Sequence, residues 1–205
     1  MRILSTTAAF AIMASLLAGC GGQDTGQSMA QGENQQASQQ SASDIYMPAE
    51  TAMNERMAAA EGASAADTWM LKMIEHHRGA ISLSELLLSQ PNVEPAVAER
   101  ARMTAADQQR DVAELQSMLQ GVQGTGSPDA YMAAEQQMSR QMMAARGANV
   151  SETWLRKMIE HHRGAVAMAN IAVTSAGNEM VIAMARQTIE KQTREIEELQ
   201  RLLPS

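Results

Sequence analysis

The chain carries four histidines, and all four fall in two adjacent pairs, His76-His77 and His161-His162. A methionine stands three residues before each pair, Met73 and Met158. Residues three and four apart share one face of a helix, so this spacing lines up thioether and imidazole donors. Around the second pair, Trp154, Met158, His161, Ala165 and Met168 recur at steps of four, three, four and three. That rhythm is a single seam along one helix, with His162 beside it. Around the first pair the seam reads Trp69, Met73, His76, Ala80 and Leu83, with His77 beside it. Met70 adds a thioether one turn before Met73, but Leu83 takes the place of the second methionine, so the first set is poorer or differently built. Two further lines follow the same rhythm: Tyr46, Glu50, Met53 and Met57, and Tyr131, Glu135, Met138 and Met142. Packed against the histidine helices, they would bring each site more thioethers and one carboxylate.

The chemistry follows from softness. Thioether sulfur is neutral and polarizable and selects Cu(I), whereas imidazole serves Cu(I) and Cu(II) alike. A mixed set therefore suits copper, with Ag(I) as a mimic, and lacks the oxygen ligands that magnesium and calcium want. Methionine is abundant, 18 of 205 residues, and as a flexible gap-filler it also packs cores. Met47, Met103, Met118, Met180 and Met184 are expected to be core of that kind, and Met29 has no assigned role. The pairing of all four histidines with methionine is what favours metal over filler. Glu75 with Arg78, and Glu160 with Arg156 or Arg163, are spaced for surface pairs, with a supporting role beside an imidazole as the alternative.

The elements that must position these residues come in duplicate. The block Trp69 to Ala80 repeats as Trp154 to Ala165 at an offset of 85, which also pairs Asp44 with Asp129 and Glu50 with Glu135. Further on the offset becomes 84, pairing Gln108, Asp111 and Leu115 with Gln192, Glu195 and Leu199. Each repeat, 44–121 and 127–205, reads as three helices. The first begins near Asp44 or Pro128. The second runs from about Ala65 to Ser89 and from Val150 to about Ala176. The third runs from about Glu94 to Leu119 and from Asn178 to Leu203. Ser64 with Asp67 and Asn149 with Glu152 have capping-box spacing. Pro91 and Gly177-Asn178 are stops. One hairpin cannot cover its own apolar stripe. Two long hairpins make an all-α four-helix bundle, with each shorter first helix outside it or capping it.

Residues 1–19 read as a signal peptide: Arg2, then an apolar run too short to span a bilayer, then Leu17-Ala18-Gly19-Cys20. That ending resembles the lipobox of bacterial lipoproteins, which implies acylation of Cys20 and attachment to a membrane. Residues 20–43, rich in Gln, Ser and Gly, read as a flexible linker. Cys20 is the only cysteine, so thiolate sites and disulfides are excluded. A net charge of -7 and 2% aromatics exclude a nucleic-acid partner.

The block Met158-Ile159-Glu160-His161-His162-Arg163-Gly164-Ala165-Val166-Ala167-Met168, followed by Gln192 to Leu199, resembles the DUF305 family, in two copies over the whole mature domain. The resemblance implies a ferritin-like helical bundle, export to the periplasm or cell surface, and copper binding and resistance. It implies no enzymatic activity. Leu83 departs from the family's Met, Asp111 from its Glu, and Leu115 and Leu199 from a common Met. The expectation is a copper buffer or carrier on the outer membrane facing the periplasm, delivering to an unidentified copper-receiving protein. A ferritin-like di-metal oxidoreductase is the runner-up, but the Glu-x-x-His pairs it needs are missing. A structural envelope lipoprotein without metal is the third reading.

Overall fold

The computed structural model describes residues 41–119, 122 and 124–204. The expected signal peptide, Cys20, Met29 and all but the end of the expected linker lie outside the described residues. The linker ends slightly earlier than its composition suggests, for 41–44 already form a helical turn with Ala42 and Ser43 buried.

Among the described residues the chain is all-helical. Its elements are α1 (Met47–Ala59), α2 (Ala65–Leu88), α3 (Pro95–Leu119), a 3-10 turn (Pro128–Tyr131), α4 (Met132–Ala144), α5 (Val150–Ser175) and α6 (Glu179–Arg201). The duplicated caps act alike. Ser64 accepts from the Asp67 amide and Asn149 from the Glu152 amide, each satisfying a helix-start N–H. After Ser127 the helix does not begin at once. Pro128 opens the tight 3-10 turn, and regular α-helix starts only at Met132. Between α5 and α6, Gly177 takes φ +61, and Asn178 then caps the Val181 amide.

The two hairpins, α2/α3 and α5/α6, pack through α2 against α5. α1 lies on α2, α4 lies on α5, and α1 and α4 touch each other. The central α2/α5 pair thus has α1 and α4 on one side and α3 and α6 on the other. Ion pairs between Lys191 and Asp111, and between Arg100 and both Glu195 and Glu198, join α3 to α6. The connector is tied to the body: Thr125 donates its amide to the Ala176 carbonyl at 3.0 Å and accepts from the Ala65 amide at 3.2 Å. No helix of the described residues is long and apolar enough to cross a membrane.

Candidate metal centre

Burial of the predicted donors is complete. His76, His77, His161 and His162 are buried, as are Met53, Met57, Met70, Met73, Met138, Met142, Met158 and Met168. Three of the methionines expected in the core are not there: Met47, Met103 and Met180 sit at half-exposed positions, on turns of helix that face away from the α2/α5 pair. Met118 and Met184 are partly buried.

The two histidine pairs do not build two separate clusters. His76 and His161 stack where α2 crosses α5, ring centroids 3.5 Å apart and planes tilted by 32°. His77 lies 5.6 Å from His76, and His162 lies 5.7 Å from His161. The four imidazoles form one continuous row of neighbours, bent so that the outer rings, His77 and His162, are near enough to act on each other. His76 donates Nε2–H to the His161 carbonyl at 3.0 Å, and His161 donates Nε2–H to the His76 carbonyl at 2.9 Å. A carbonyl accepts only, so each bond fixes the neutral ring as the Nε2–H tautomer and leaves the lone pair on Nδ1. Those Nδ1 atoms, and the Nδ1 atoms of His77 and His162, are buried without a partner.

Burial holds the His76, His77 and His161 imidazoles neutral. It pushes His76 and His161 well below the ordinary histidine value, and the neighbouring rings add to the shift. Burial likewise pushes His77 down to about 4, with Asp111 working against it. The neutral ring is the metal-ligating form. His162 Nε2 stands 3.0 Å from Glu195 Oε2, without the alignment of a hydrogen bond. Burial raises Glu195, but His162, Lys191 and Arg100 outweigh it and hold its carboxyl below the usual range.

Thioethers from α1 and α4 lie against the helices that carry the histidines. A Cβ placed on Gly79 would meet Met53 Sδ at 2.1 Å, and one on Gly164 would meet Met138 Sδ at 2.3 Å. Each glycine therefore lets a methionine sulfur lie against the helix backbone within three residues of a histidine pair. Met73 and Met158 stand one turn before His76 and His161 on α2 and α5. Met168 and Leu83 occupy equivalent buried places farther along.

The carboxylates expected at the site are engaged elsewhere. Glu50 receives Lys157 Nζ at 2.8 and 3.0 Å, and Glu135 receives Lys72 Nζ at 2.7 Å. The same lysines donate to the Met142 and Met57 carbonyls. A buried carboxylate beside a buried ammonium is neutralised and saturated, so neither glutamate is free to ligate. Burial raises Glu50 in spite of Lys157. Lys72 and Lys157 could have been found in the sequence: each lies on the buried seam, three residues after a tryptophan, where a charge demands a partner. Glu75 pairs with Arg78 and Arg56, and Glu160 with Arg163, while Arg156 pairs with Glu152. Glu75 and Glu160 thus belong to surface pairs rather than to an imidazole.

Among the described residues, no three of His, Cys, Asp and Glu stand together as a metal cluster. Residues 3–119 and 94–203 both match one family, described as a domain of unknown function, DUF305. The chain belongs to the DUF305 family. Its two matches overlap at 94–119, so the second DUF305 match includes α3 as well as α4, α5 and α6. No curated protein and no solved structure matches the chain. In this DUF305 chain, sequence patterning missed Arg100, Thr104 and the role of Gln108. All three are buried on α3 facing the histidine row, with side-chain atoms that lack partners.

Proposed function

We infer that this chain is a copper-binding protein of the cell envelope. It takes up Cu(I), and by the same chemistry Cu(II) or Ag(I), on its buried imidazoles and thioethers, and so buffers or carries the ion. Acylation at Cys20 would tether it to the outer membrane facing the periplasm. The observation that carries this reading is the histidine row. Ligating histidines characteristically present one ring nitrogen to the metal while the other donates to a carbonyl or carboxylate that orients it. His76 and His161 orient each other in that way, and their Nδ1 lone pairs are buried without a partner. Unpartnered buried polar atoms cost about 1–3 kcal/mol each, a cost that a bound soft cation would offset. The donor set fits Cu(I) and offers a hard cation little.

Competition with a chromogenic Cu(I) chelator tests the reading. The chain should withdraw Cu(I) from the chelator. His161→Ala, and Met158→Leu, which keeps the volume, should weaken binding by about a hundredfold or more, beyond the cost of losing an orienting partner alone. A chain that leaves the chelator fully loaded is a helical lipoprotein without this function. In cells, deletion of the gene should raise copper sensitivity.

A further inference from the structure

The histidine row has two ends, and they differ. At the 84-residue offset, Arg100 of α3 corresponds to Met184 of α6, Asp111 to Glu195, and Asp107 to Lys191. At the His162 end, the Arg100 guanidinium lies 3.6 Å from Glu195 and 2.6 Å from Glu198, and Glu195 in turn lies against His162. The guanidinium is buried and spans the gap between α3 and α6. At the His77 end the equivalent position is Met184, which cannot form such a bridge. There a cleft of about 290 Å³ opens, walled by His77, Asp111, Glu114, Met184, Lys191 and Gln192 among others. Lys191 reaches from α6 to Asp111 at 2.6 and 2.8 Å. Within that wall the buried His77 Nδ1 and the buried Gln192 side-chain oxygen have no partner.

The geometry points to this cleft as the mouth through which Cu(I) enters and leaves the histidine row, with Met184 as its outer sulfur donor and Arg100 as the seal beside His162. This inference rests on the copper reading above. A soft cation would pass from the Met184 thioether to the His77 imidazole by exchange of one neutral donor for another. Lys191 occupies Asp111, so the cleft does not offer a cage of free carboxylates to a hard ion.

Stopped-flow transfer of Cu(I) from a chromogenic chelate into the full chain reads the mouth directly. Met184→Arg places at this end the residue that stands at the other. It should slow loading by about tenfold, whereas Arg100→Met should not slow it. Wild-type loading speed in Met184→Arg, or slowing confined to Arg100→Met, overturns the proposal. A metal-free measurement covers a variant that does not fold. Diethyl pyrocarbonate on the unaltered chain, read by mass spectrometry, should acylate His77 ahead of the other three histidines. Modification of His162 first overturns the mouth. If the unaltered chain takes up no Cu(I), the copper reading fails, and the order of acylation still decides which end of the row is open.

Discussion

The two sides of the α2/α5 pair obey different rules. On the α1/α4 side the repeats answer each other contact for contact. Tyr46 donates to the Val150 carbonyl and Tyr131 to the Ala65 carbonyl. Lys157 meets Glu50 and Lys72 meets Glu135. Asn54 donates to Ser139, its own counterpart at offset 85. The buried ionised groups there, Glu50, Glu135, Lys72 and Lys157, are paired, and those pairs run between repeats. On the α3/α6 side the correspondence breaks: Arg100 has Met184 as its counterpart, Asp107 has Lys191, and the orphaned atoms of Thr104, Gln108, Gln192 and the outer histidines gather there. The closed side has the properties of architecture. The open side keeps polar atoms buried without partners, a cost that a fold with no use for them would shed.

Breaking the closed side should hurt most. Lys157→Met strands the Glu50 carboxylate and should cost about 3–5 kcal/mol in urea unfolding, while adding Glu50→Leu should recover most of it. A double variant as unstable as the single would show that the pair is not what holds this side together. Acid should act next, through the row itself. His77 titrates near 6.5 when unfolded and at about 4 when folded, so between those values the unfolded chain binds more protons. Stability of the metal-free chain must then fall as pH drops through that window, by about 3 kcal/mol from His77 once both values are passed. His76 and His161 act in the same sense, and Glu50, raised by burial, works against them just above its ordinary value. A flat stability profile from neutrality to about pH 4 would contradict the burial of the row. Gly79→Ala and Gly164→Ala drive a methyl into Met53 and Met138 and should each cost about 1–3 kcal/mol, nearly equally, because this side is symmetric. Clearly unequal costs would break the comparison. The smallest effect is a gain: Gln108→Leu removes an amide with no partner at either atom and should stabilise by about 1 kcal/mol. A loss of similar size would mean that Gln108 is bound to something.

Helix positions, duplication and burial of the donors were legible because they are local. Caps at Ser64 and Asn149, the stop at Gly177 and the period of the Trp-Met-His seam all lie within one or two turns. The pairing of repeats was not legible, for a reason particular to duplicated chains. Glu50 lies at one spacing from Lys72 and at that spacing plus 85 from Lys157. A repeated pattern supports either partner equally, and only the fold selects the trans pair. The same ambiguity left open whether the histidines would form one shared site or two separate ones. The exposed methionines were misassigned because Met has too little preference for burial to declare its side. Arg100 was missed because its importance lies in a difference from Met184, where the two repeats fail to match.

That failure to match has a consequence for how such a protein can change. Two identical subunits related by a two-fold axis must carry every substitution at both ends at once. Here the symmetric half-molecules are one polypeptide, joined by the strap around Thr125, so a codon altered in one half leaves its twin untouched. The molecule keeps the mutual support of a dimer while its poles are free to diverge into an open pole and a stoppered one.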